Sequence, residues 1–210
     1  MVQGKERVKI MVGIIDYGVG NLSSIKFAIN RLGVDAEIVK DPSNLDLLSH
    51  LILPGVGSFA YAMQKIRKKK WDNAILKFVA SNKPILGICL GMQLLFEYGE
   101  EGGNCSGLGL IAGKVKLMAV SEQLKLPHVG WNQLKFLRSH PIFSNIREGV
   151  DFYFTHSYQC IPTDPQVILA SCEYGEFFPA VVEFKNIMGM QFHPEKSQPA
   201  GLKILKNFLQ

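Results

Sequence analysis

Cysteine is scarce in this sequence of 210 residues, and long apolar runs are missing altogether. The four cysteines are dispersed and form no Cys-x-x-Cys pair; they are Cys89, Cys105, Cys160 and Cys172. This usage favours reduced thiols over a disulfide framework or a zinc site. No stretch is apolar for long enough to span a bilayer, and the first residues lack the apolar core of a signal peptide. We therefore expect a cytoplasmic protein with no membrane contact.

A strong excess of one charge is also missing. The sequence has 23 Lys and Arg against 18 Asp and Glu, which gives a formal net charge of +5. The densest basic run, at 65–70, lies in a helical pattern and has no interleaved aromatic residues that could stack on bases. Such a run is typical of a solvated helix face, so we expect no nucleic-acid partner.

Common ligand motifs are absent as well. The glycine pair at 18–20 lacks the third glycine of a dinucleotide-binding fingerprint, and no Gly-x-x-x-x-Gly-Lys-Ser/Thr loop occurs. His128, His156, His193 and Glu195 could be imagined as metal ligands, but they lack His-Glu-x-x-His spacing. We therefore expect neither a metal nor an organic cofactor.

Strand and helix patterns alternate in the first half of the chain. Strand patterns occur at 8–15, 37–39, 51–53 and 84–88, and helical patterns at 22–32, 58–79 and 90–98. Asn21 and Ser58 are positioned to cap the first two helices. Alternation of this kind with short connections predicts a parallel sheet with helices on both sides.

The second half consists mostly of short β-type runs separated by turns, and it ends in a helix at about 200–209. The runs lie at 114–118, 131–136, 152–155, 167–171, 180–184 and 187–191. Hairpins would append them as antiparallel strands. We predict an α/β fold, a three-layer sandwich with a central, mostly parallel sheet flanked by helices, plus an added antiparallel β section in the second half.

A potential nucleophile lies between two glycines, because residues 87–91 read Gly-Ile-Cys-Leu-Gly after an apolar run. This pattern is typical of a nucleophile elbow, a sharp turn that lifts one side chain above a sheet. The glycines remove Cβ atoms where the turn is tight. Cys89 is thus a candidate nucleophile, and the alternative is a buried core cysteine.

Two further turns follow strand patterns, and ligands bind at the carboxyl ends of strands in open α/β sheets. Residues 54–57 read Pro-Gly-Val-Gly, and residues 193–195 read His-Pro-Glu. His193 could act as a base toward Cys89, and Glu195, on the same side of an extended segment, could fix its tautomer. Backbone N–H groups of Leu90 and of 55–57 could stabilise an oxyanion. In isolation, each turn is also compatible with a plain surface turn.

Together these turns resemble the class I (triad) glutamine amidotransferases. The matching segments are 54–57, Gly-Ile-Cys-Leu-Gly-Met-Gln at 87–93, and Gln-Phe-His-Pro-Glu-Lys-Ser at 191–197. Asp-Tyr-Gly-Val-Gly-Asn at 16–21, Pro-His-Val-Gly-Trp-Asn at 127–132 and Phe-Thr-His-Ser-Tyr at 154–158 are similar to the glutaminase subunits of imidazole glycerol phosphate synthases. The resemblance implies a single domain of this type over 1–210, with an N-terminal extension at 1–8.

The resemblance also implies a reaction and its residues. Glutamine would be hydrolysed to glutamate and ammonia through a thioester on Cys89, with His193 and Glu195 completing the triad. The N–H groups of Val56 and Leu90 would form the oxyanion hole. The substrate would be bound by Gly55, Gly57, Gln93, Glu101, Thr155, Ser157 and Tyr158.

A partner follows from the same resemblance. The ammonia would pass to a (β/α)8 cyclase subunit of the HisF type, in a heterodimer that makes imidazole glycerol phosphate for histidine biosynthesis. The candidates for the partner face are Asn21, Trp131, Tyr153 and Lys196. No cofactor is implied.

Other interpretations stay open from the sequence. A related glutaminase could supply ammonia to the amidation of surface sugars or to the pyridoxal phosphate synthase barrel. The Gly-Trp-Asn and His-Ser-Tyr segments favour the histidine-pathway type over the pyridoxal phosphate type, but they do not exclude the sugar type. The chain could also be a non-catalytic subunit that stabilises a barrel partner, or a free-standing hydrolase.

Overall fold

The computed structural model describes residues 10–210, so the extension predicted at 1–8 lies outside the described residues. The strands are β1 (Met11–Ile15), β2 (Asp35–Val39), β3 (His50–Leu53), β4 (Ile85–Ile88), β5 (Phe96–Gly99), β6 (Cys105–Ser106), β7 (Ile111–Leu117), β8 (His128–Phe136), β9 (Asp151–His156), β10 (Tyr158–Pro162), β11 (Ile168–Tyr174), β12 (Glu176–Phe184) and β13 (Ile187–Met190). The α-helices are α1 (Leu22–Arg31), α2 (Phe59–Lys68), α3 (Trp71–Ala80), α4 (Leu90–Leu94) and α5 (Gln198–Phe208). In this range no helix combines the length and the apolar character needed to cross a bilayer.

Nine strands form one sheet in the order β2-β1-β3-β4-β13-β12-β11-β8-β9. The pairings from β2 to β13 are parallel, and those from β13 to β9 are antiparallel. The α/β class is confirmed. The sheet is evenly mixed, however, because the antiparallel strands of the second half extend the same sheet. The other four strands form a second sheet in the order β10-β7-β5-β6.

Helices cover both faces of the parallel half. Ile52 of β3 packs in a core cluster with residues of α1 and α5. Its neighbours Leu51 and Leu53 pack in a second cluster with residues of α2 and α3. Because successive strand residues face opposite sides of a sheet, the two clusters lie on opposite faces. The carboxyl ends of β3, β4 and β13 are left for the three turns singled out in the sequence.

The long helix predicted at 58–79 is wrong, because α2 and α3 are separated at Lys70, whose backbone is left-handed with a φ of 60°. The buried stripe of α2 includes Met63 and Ile66. A continuous helix would put Lys70, four residues after Ile66, on that stripe and would rotate Trp71 off it. The break leaves Lys70 exposed and Trp71 fully buried.

The helix predicted at 90–98 is also too long. It ends at Leu94, whose carbonyl accepts the Leu108 N–H at 2.9 Å, while the Leu95 carbonyl accepts the Leu110 N–H at 2.8 Å. These carbonyls bind a later segment of the chain instead of continuing the helical ladder. The chain therefore turns into β5, which pairs with β7.

Candidate active site

Cys89 lies in a strained turn between β4 and α4. Its φ of 54° and ψ of −112° are unusual for a residue with a side chain, and its N–H donates to the Met190 carbonyl at 2.8 Å. A Cβ at Gly91 would overlap the Leu53 carbonyl oxygen, and a Cβ at Gly87 would lie 2.6 Å from the Gly91 oxygen. The close packing of the turn therefore requires both glycines of the elbow.

His193 and Glu195 form a buried pair at the end of β13. Nδ1 of His193 lies 2.9 Å from Oε1 of Glu195, and the two side chains are 4% and 1% exposed. The intervening backbone is a short 3-10 turn, Pro194–Lys196, and not the extended segment expected from the sequence. With Nδ1 donating to the carboxylate, Nε2 is the nitrogen that is free to exchange a proton with another group.

The environment of His193 favours its charged form. Burial lowers the pKa of His193, but the effects of the neighbouring Cys89 and Glu195 outweigh it and raise the pKa to about 9. Within residues 10–210, Nε2 is buried and forms no hydrogen bond of good geometry. Because an imidazolium beside a thiol stabilises the thiolate, Cys89 and His193 are arranged for nucleophilic chemistry.

Ser197 fixes the backbone of His193, and the sequence analysis did not single it out. Its Oγ donates to the His193 carbonyl at 2.7 Å and accepts from the Tyr153 N–H at 3.0 Å. The His193 N–H in turn donates to the Tyr153 carbonyl at 2.9 Å. The loop that carries His193 is thereby fastened to β9. Its only sequence signal was its place at the end of the matched segment 191–197.

A cavity of about 450 Å³ is lined by Cys89 and His193, and this size is ordinary for a small-molecule site. The cavity brings together most of the other predicted site residues: Val56, Gly57, Leu90, Gln93, Glu101, Thr155, Ser157 and Tyr158. Gly55 is buried and is not among the lining residues. Three lining residues were not predicted: Ser58, Pro127 and His156.

Glu101 connects the cavity wall to the start of α2. Its Oε2 accepts the Phe59 N–H at 2.9 Å, whereas Ser58 makes no side-chain cap hydrogen bond. The predicted cap at Ser58 is therefore wrong, because the carboxylate takes its place; the predicted cap at Asn21 is not made either. Burial raises the pKa of Glu101, although the Phe59 N–H opposes the shift.

Gln93 is held by two acceptors at the cavity wall. Its Nε2 donates to the Tyr158 carbonyl at 3.1 Å and to Oε1 of Gln191 at 3.1 Å. The Nε2 of Gln191 reaches Sγ of Cys89 at 3.8 Å. Gln191 was not singled out in the sequence, although it opens the matched segment 191–197.

Three of the four residues predicted for the partner face lie in contact. Trp131 is 46% exposed, and its ring lies 5.7 Å from that of Tyr153. Nζ of Lys196 lies 5.3 Å from the centre of the Tyr153 ring. The centre of the same ring lies 6.4 Å from that of the His193 ring. We name Trp131, Tyr153 and Lys196 the aromatic face. Asn21 is exposed directly before α1.

Two buried histidines are in contact at the cavity wall, where His156 lines the cavity and His128 does not. Nδ1 of His128 is 3.2 Å from Nε2 of His156, and the His128 ring stacks on Tyr174 with a centroid distance of 4.1 Å. Burial lowers the pKa of His128 to about 4 and that of His156 to about 3, so both are neutral at pH 7. Over the described part of the chain, no three His, Cys, Asp or Glu side chains are grouped to hold a metal ion.

Known proteins with related sequences agree on one family. Residues 13–210 match the family Glutamine amidotransferase class-I. Imidazole glycerol phosphate synthase subunit HisH of Moorella thermoacetica is 46% identical over 197 residues, which is 94% of this chain and 93% of that protein. The protein of the same name from Bacillus velezensis is 48% identical over 202 residues, covering 94% of this chain and 95% of its own length.

Two solved structures share the fold at lower identity. A putative GMP synthase subunit from Thermoplasma acidophilum has a TM-score of 0.73 at 23% identity, over 97% of this chain and 94% of that one. PurLQS from Thermotoga maritima has a TM-score of 0.74 at 20% identity, over 96% of this chain and 98% of that one. At these identities the likeness concerns the fold alone.

Proposed function

Since the chain belongs to the class-I glutamine amidotransferase family, as its motifs predict, we propose that it is the glutaminase subunit of an imidazole glycerol phosphate synthase. The observation that carries the proposal is the grouping of Cys89, His193 and Glu195 beside one cavity. Relatives that carry this name are 46–48% identical over 94% of the chain.

In the proposed reaction, Cys89 is the nucleophile. Its thiolate attacks the side-chain amide carbon of glutamine, and the C–N bond breaks as His193 gives a proton to the leaving ammonia. Water, deprotonated by His193, then attacks the γ-glutamyl thioester. Glutamate leaves, and the thiolate and imidazolium are regenerated. Glu195 keeps Nδ1 of His193 protonated, so that Nε2 performs both transfers.

The negative charge that develops on the amide oxygen needs donors. We assign the N–H groups of Val56 and Leu90, which lie on two different turns that line the cavity together. Donors of this kind act only when charge develops, and removal of one costs about 10²–10³ in rate. The position of the 54–57 turn relative to the elbow is therefore central to the rate.

The cavity lining supplies groups for both ends of glutamine. The Glu101 carboxylate suits the α-ammonium group. Because Gln93 donates its Nε2 hydrogens elsewhere, its Oε1 can accept from the substrate. Gly57, Thr155, Ser157 and Tyr158 complete the binding surface.

We assign the aromatic face, together with Asn21, to the partner. A large exposed aromatic residue such as Trp131 is typical of an interface anchor. Its ring contacts that of Tyr153, which in turn lies next to the ring of His193. The partner is a (β/α)8 cyclase subunit of the HisF type, which receives the ammonia in a heterodimer. We place the complex in the cytoplasm, where the four cysteines, unpaired in the described structure, stay reduced.

The decisive test is Cys89→Ala in the assembled complex with a cyclase-type barrel. We expect glutamine-dependent synthesis of imidazole glycerol phosphate to be lost, while synthesis from added ammonium salt continues. Cys105→Ala, which changes a half-buried thiol outside the cavity, is the matched control and should keep both activities. Glutamine-dependent synthesis that survives in Cys89→Ala would overturn the catalytic assignment.

A second test separates the proposed partner from the alternatives. Trp131→Ala should weaken binding to the cyclase barrel at least about tenfold, as expected for an aromatic anchor. Phe184→Ala should leave binding unchanged, because Phe184 is also an exposed aromatic residue but ends β12, where it pairs with Ile187 at the start of β13 and so lies at the end of that strand away from His193. Failure of the wild-type chain to bind this barrel, with activation by a sugar-amidating partner, would favour the surface-sugar function. Full turnover by the isolated chain would favour a free-standing hydrolase.

A further inference from the structure

Gln191 contacts the reacting sulfur from the protein side of the site. Its side chain is 0% exposed, and it is absent from the residues that line the cavity. Nε2 lies 3.8 Å from Sγ of Cys89, within hydrogen-bond range for sulfur. A buried amide in this position touches the nucleophile without reaching the solvent or the substrate space.

The orientation of this amide follows from its neighbours. The Tyr158 carbonyl can only accept a hydrogen bond, so the end of Gln93 that lies 3.1 Å from it is Nε2. The same Nε2 lies 3.1 Å from Gln191, so Gln191 must present its oxygen there. The other end of the Gln191 amide, which is a donor only, therefore points at Cys89.

One backbone carbonyl and one side-chain amide thus have opposite effects on the ionisation of the Cys89 sulfur. The Thr155 carbonyl, 3.7 Å from Sγ, can accept from a thiol S–H but repels a thiolate. The Gln191 N–H group favours the thiolate, because hydrogen bonds to a charged acceptor are about twice as strong as those to a neutral one. We propose that Gln191 is a thiolate donor, which stabilises the ionised sulfur of Cys89 before attack and again when the thioester breaks. The proposal rests on Cys89 being the nucleophile of the proposed function.

The other titratable groups around the sulfur are His193, Tyr17 and Cys160, with Glu195 behind His193. Burial raises the pKa values of Tyr17 and Cys160 well above their usual ranges, so both stay neutral between pH 6 and pH 9. His193 is the only one of the three that can carry a positive charge, because a phenol and a thiol become negative when they ionise. Gln191 supplies a further stabilisation of the thiolate, and it does so without titrating.

The test is the pH dependence of Cys89 alkylation by iodoacetamide in the full-length chain, with the modified residue assigned by peptide mass spectrometry. Gln191→Glu keeps an oxygen for Gln93 but replaces the donor with a second acceptor. Gln191→Met removes the donor without adding charge. We expect the alkylation rate at pH 7 to fall about tenfold in the Glu variant and about threefold in the Met variant, with both profiles moved to higher pH.

Gln159→Glu is the matched control, because Gln159 is also buried, at 5% exposure, and forms no hydrogen bond to Cys89 in the described structure. It should leave the profile unchanged. An unchanged profile in Gln191→Met would overturn the proposal, even if Gln191→Glu reacts slowly, since charge alone would then explain the Glu variant. Alkylation needs neither glutamine nor a partner, so this result is independent of the test of the proposed function.

A measurement on the unaltered residue covers the case in which the variants do not fold. In the wild-type chain, the side-chain amide signals of Gln191 in an NMR titration should shift with the same midpoint as the alkylation profile. In Cys89→Ser this shift should disappear. Amide signals that stay constant in the wild-type chain through the alkylation midpoint would overturn the proposal.

Discussion

The hydroxyl of Tyr17 donates a hydrogen bond to the carbonyl of Pro54 at 2.8 Å. Tyr17 is fully buried after β1, and Pro54 opens the turn that carries the proposed oxyanion donor Val56. Burial, with a smaller effect of Cys89, raises the pKa of Tyr17, so the phenol stays protonated as a donor. One side chain therefore sets the position of the turn where it leaves β3.

Tyr17→Phe should loosen this turn without enlarging the core. It leaves the buried Pro54 carbonyl unpaired, so the free energy of unfolding should fall by about 1–2 kcal/mol. Glutaminase kcat in the complex should fall about tenfold, with KM little changed, because the oxyanion donor is less well aligned. Urea denaturation and steady-state kinetics measure the two effects. Tyr61→Phe, on an exposed tyrosine, is the control, and an unaltered kcat in Tyr17→Phe would contradict the expectation.

Gly55→Ala should be more damaging to catalysis. A Cβ at Gly55 would lie 2.7 Å from the Tyr17 hydroxyl and 2.9 Å from Cβ of Leu90, so the turn must move away from the elbow. Displacement of an oxyanion donor should lower kcat about 100-fold or more. Gly33→Ala, where φ is +76° and no atom of the described structure lies within 4 Å of the new Cβ, should lower stability only.

The two changes should not be additive. Because the Tyr17 hydroxyl is the atom closest to the new Cβ, Tyr17→Phe in the Gly55→Ala background should cost less stability than it does alone. A double-mutant cycle by urea denaturation measures the difference. Strict additivity would mean that Leu90, and not Tyr17, determines the space at Gly55.

The pairing of His193 and Glu195 should make the free energy of unfolding depend on pH at alkaline pH. The pKa of His193 is raised from its usual 6.5 to about 9, so its contribution is complete below pH 6.5 and is lost as the pH rises through about 9. The difference in unfolding free energy between wild type and Glu195→Gln should therefore shrink by roughly 1–2 kcal/mol from pH 6 to pH 9.5. Glu183→Gln, at the partly exposed His140–Glu183 contact, is the control. Parallel curves for wild type and Glu195→Gln would be incompatible with this assignment.

The buried pair of His128 and His156 should make the protein less stable as the pH falls, whereas the stabilisation from His193 is lost as the pH rises. The pKa values of His128 and His156 are lowered by burial to about 4 and about 3, so they favour the folded state above pH 6.5 and oppose it as the pH falls. Stability should drop by roughly 3 kcal/mol or more between pH 6.5 and pH 4. His128→Phe, which keeps a ring against Tyr174, should remove about half of that loss in urea titrations. A loss equal to that of wild type would rule out His128 as a contributor.

The parts of the fold that could be predicted from sequence are those in which local pattern and burial coincide. The strand that leads into Cys89 is buried at every position, and Gly87 is required by a contact with Gly91 within the same turn, whereas Gly91 is required by the Leu53 carbonyl of the neighbouring strand β3. The helix at Leu94 ends because its carbonyl binds the distant Leu108 N–H, and the break at Lys70 depends on the burial of Trp71, which is also a property of the folded chain. β5, β6 and β10 were missed for the same reason, since they form a separate small sheet.

The candidate site likewise contains residues that could be predicted from the sequence and residues that could not. Cys89 and His193 lie in motifs whose chemistry is readable from residue type. Gln191 and Ser197 act through contacts with residues 98 and 44 positions away, and neither a glutamine nor a serine in a loop indicates such a contact by itself. The exposure of Trp131 likewise depends on which face of β8 is left uncovered in the folded chain, and the residues of the strand do not indicate that by themselves.

The adjacency of β4 and β13 restricts where the sequence can accept insertions and deletions. Ile88 pairs with Met190 across the two strands, so the sulfur and the imidazole each follow a strand held by the same ladder of backbone hydrogen bonds. An insertion or deletion within either strand would displace one group by about 3.3 Å and turn its side chain to the other face. Insertions and deletions compatible with turnover must then fall in surface turns away from this end of the sheet.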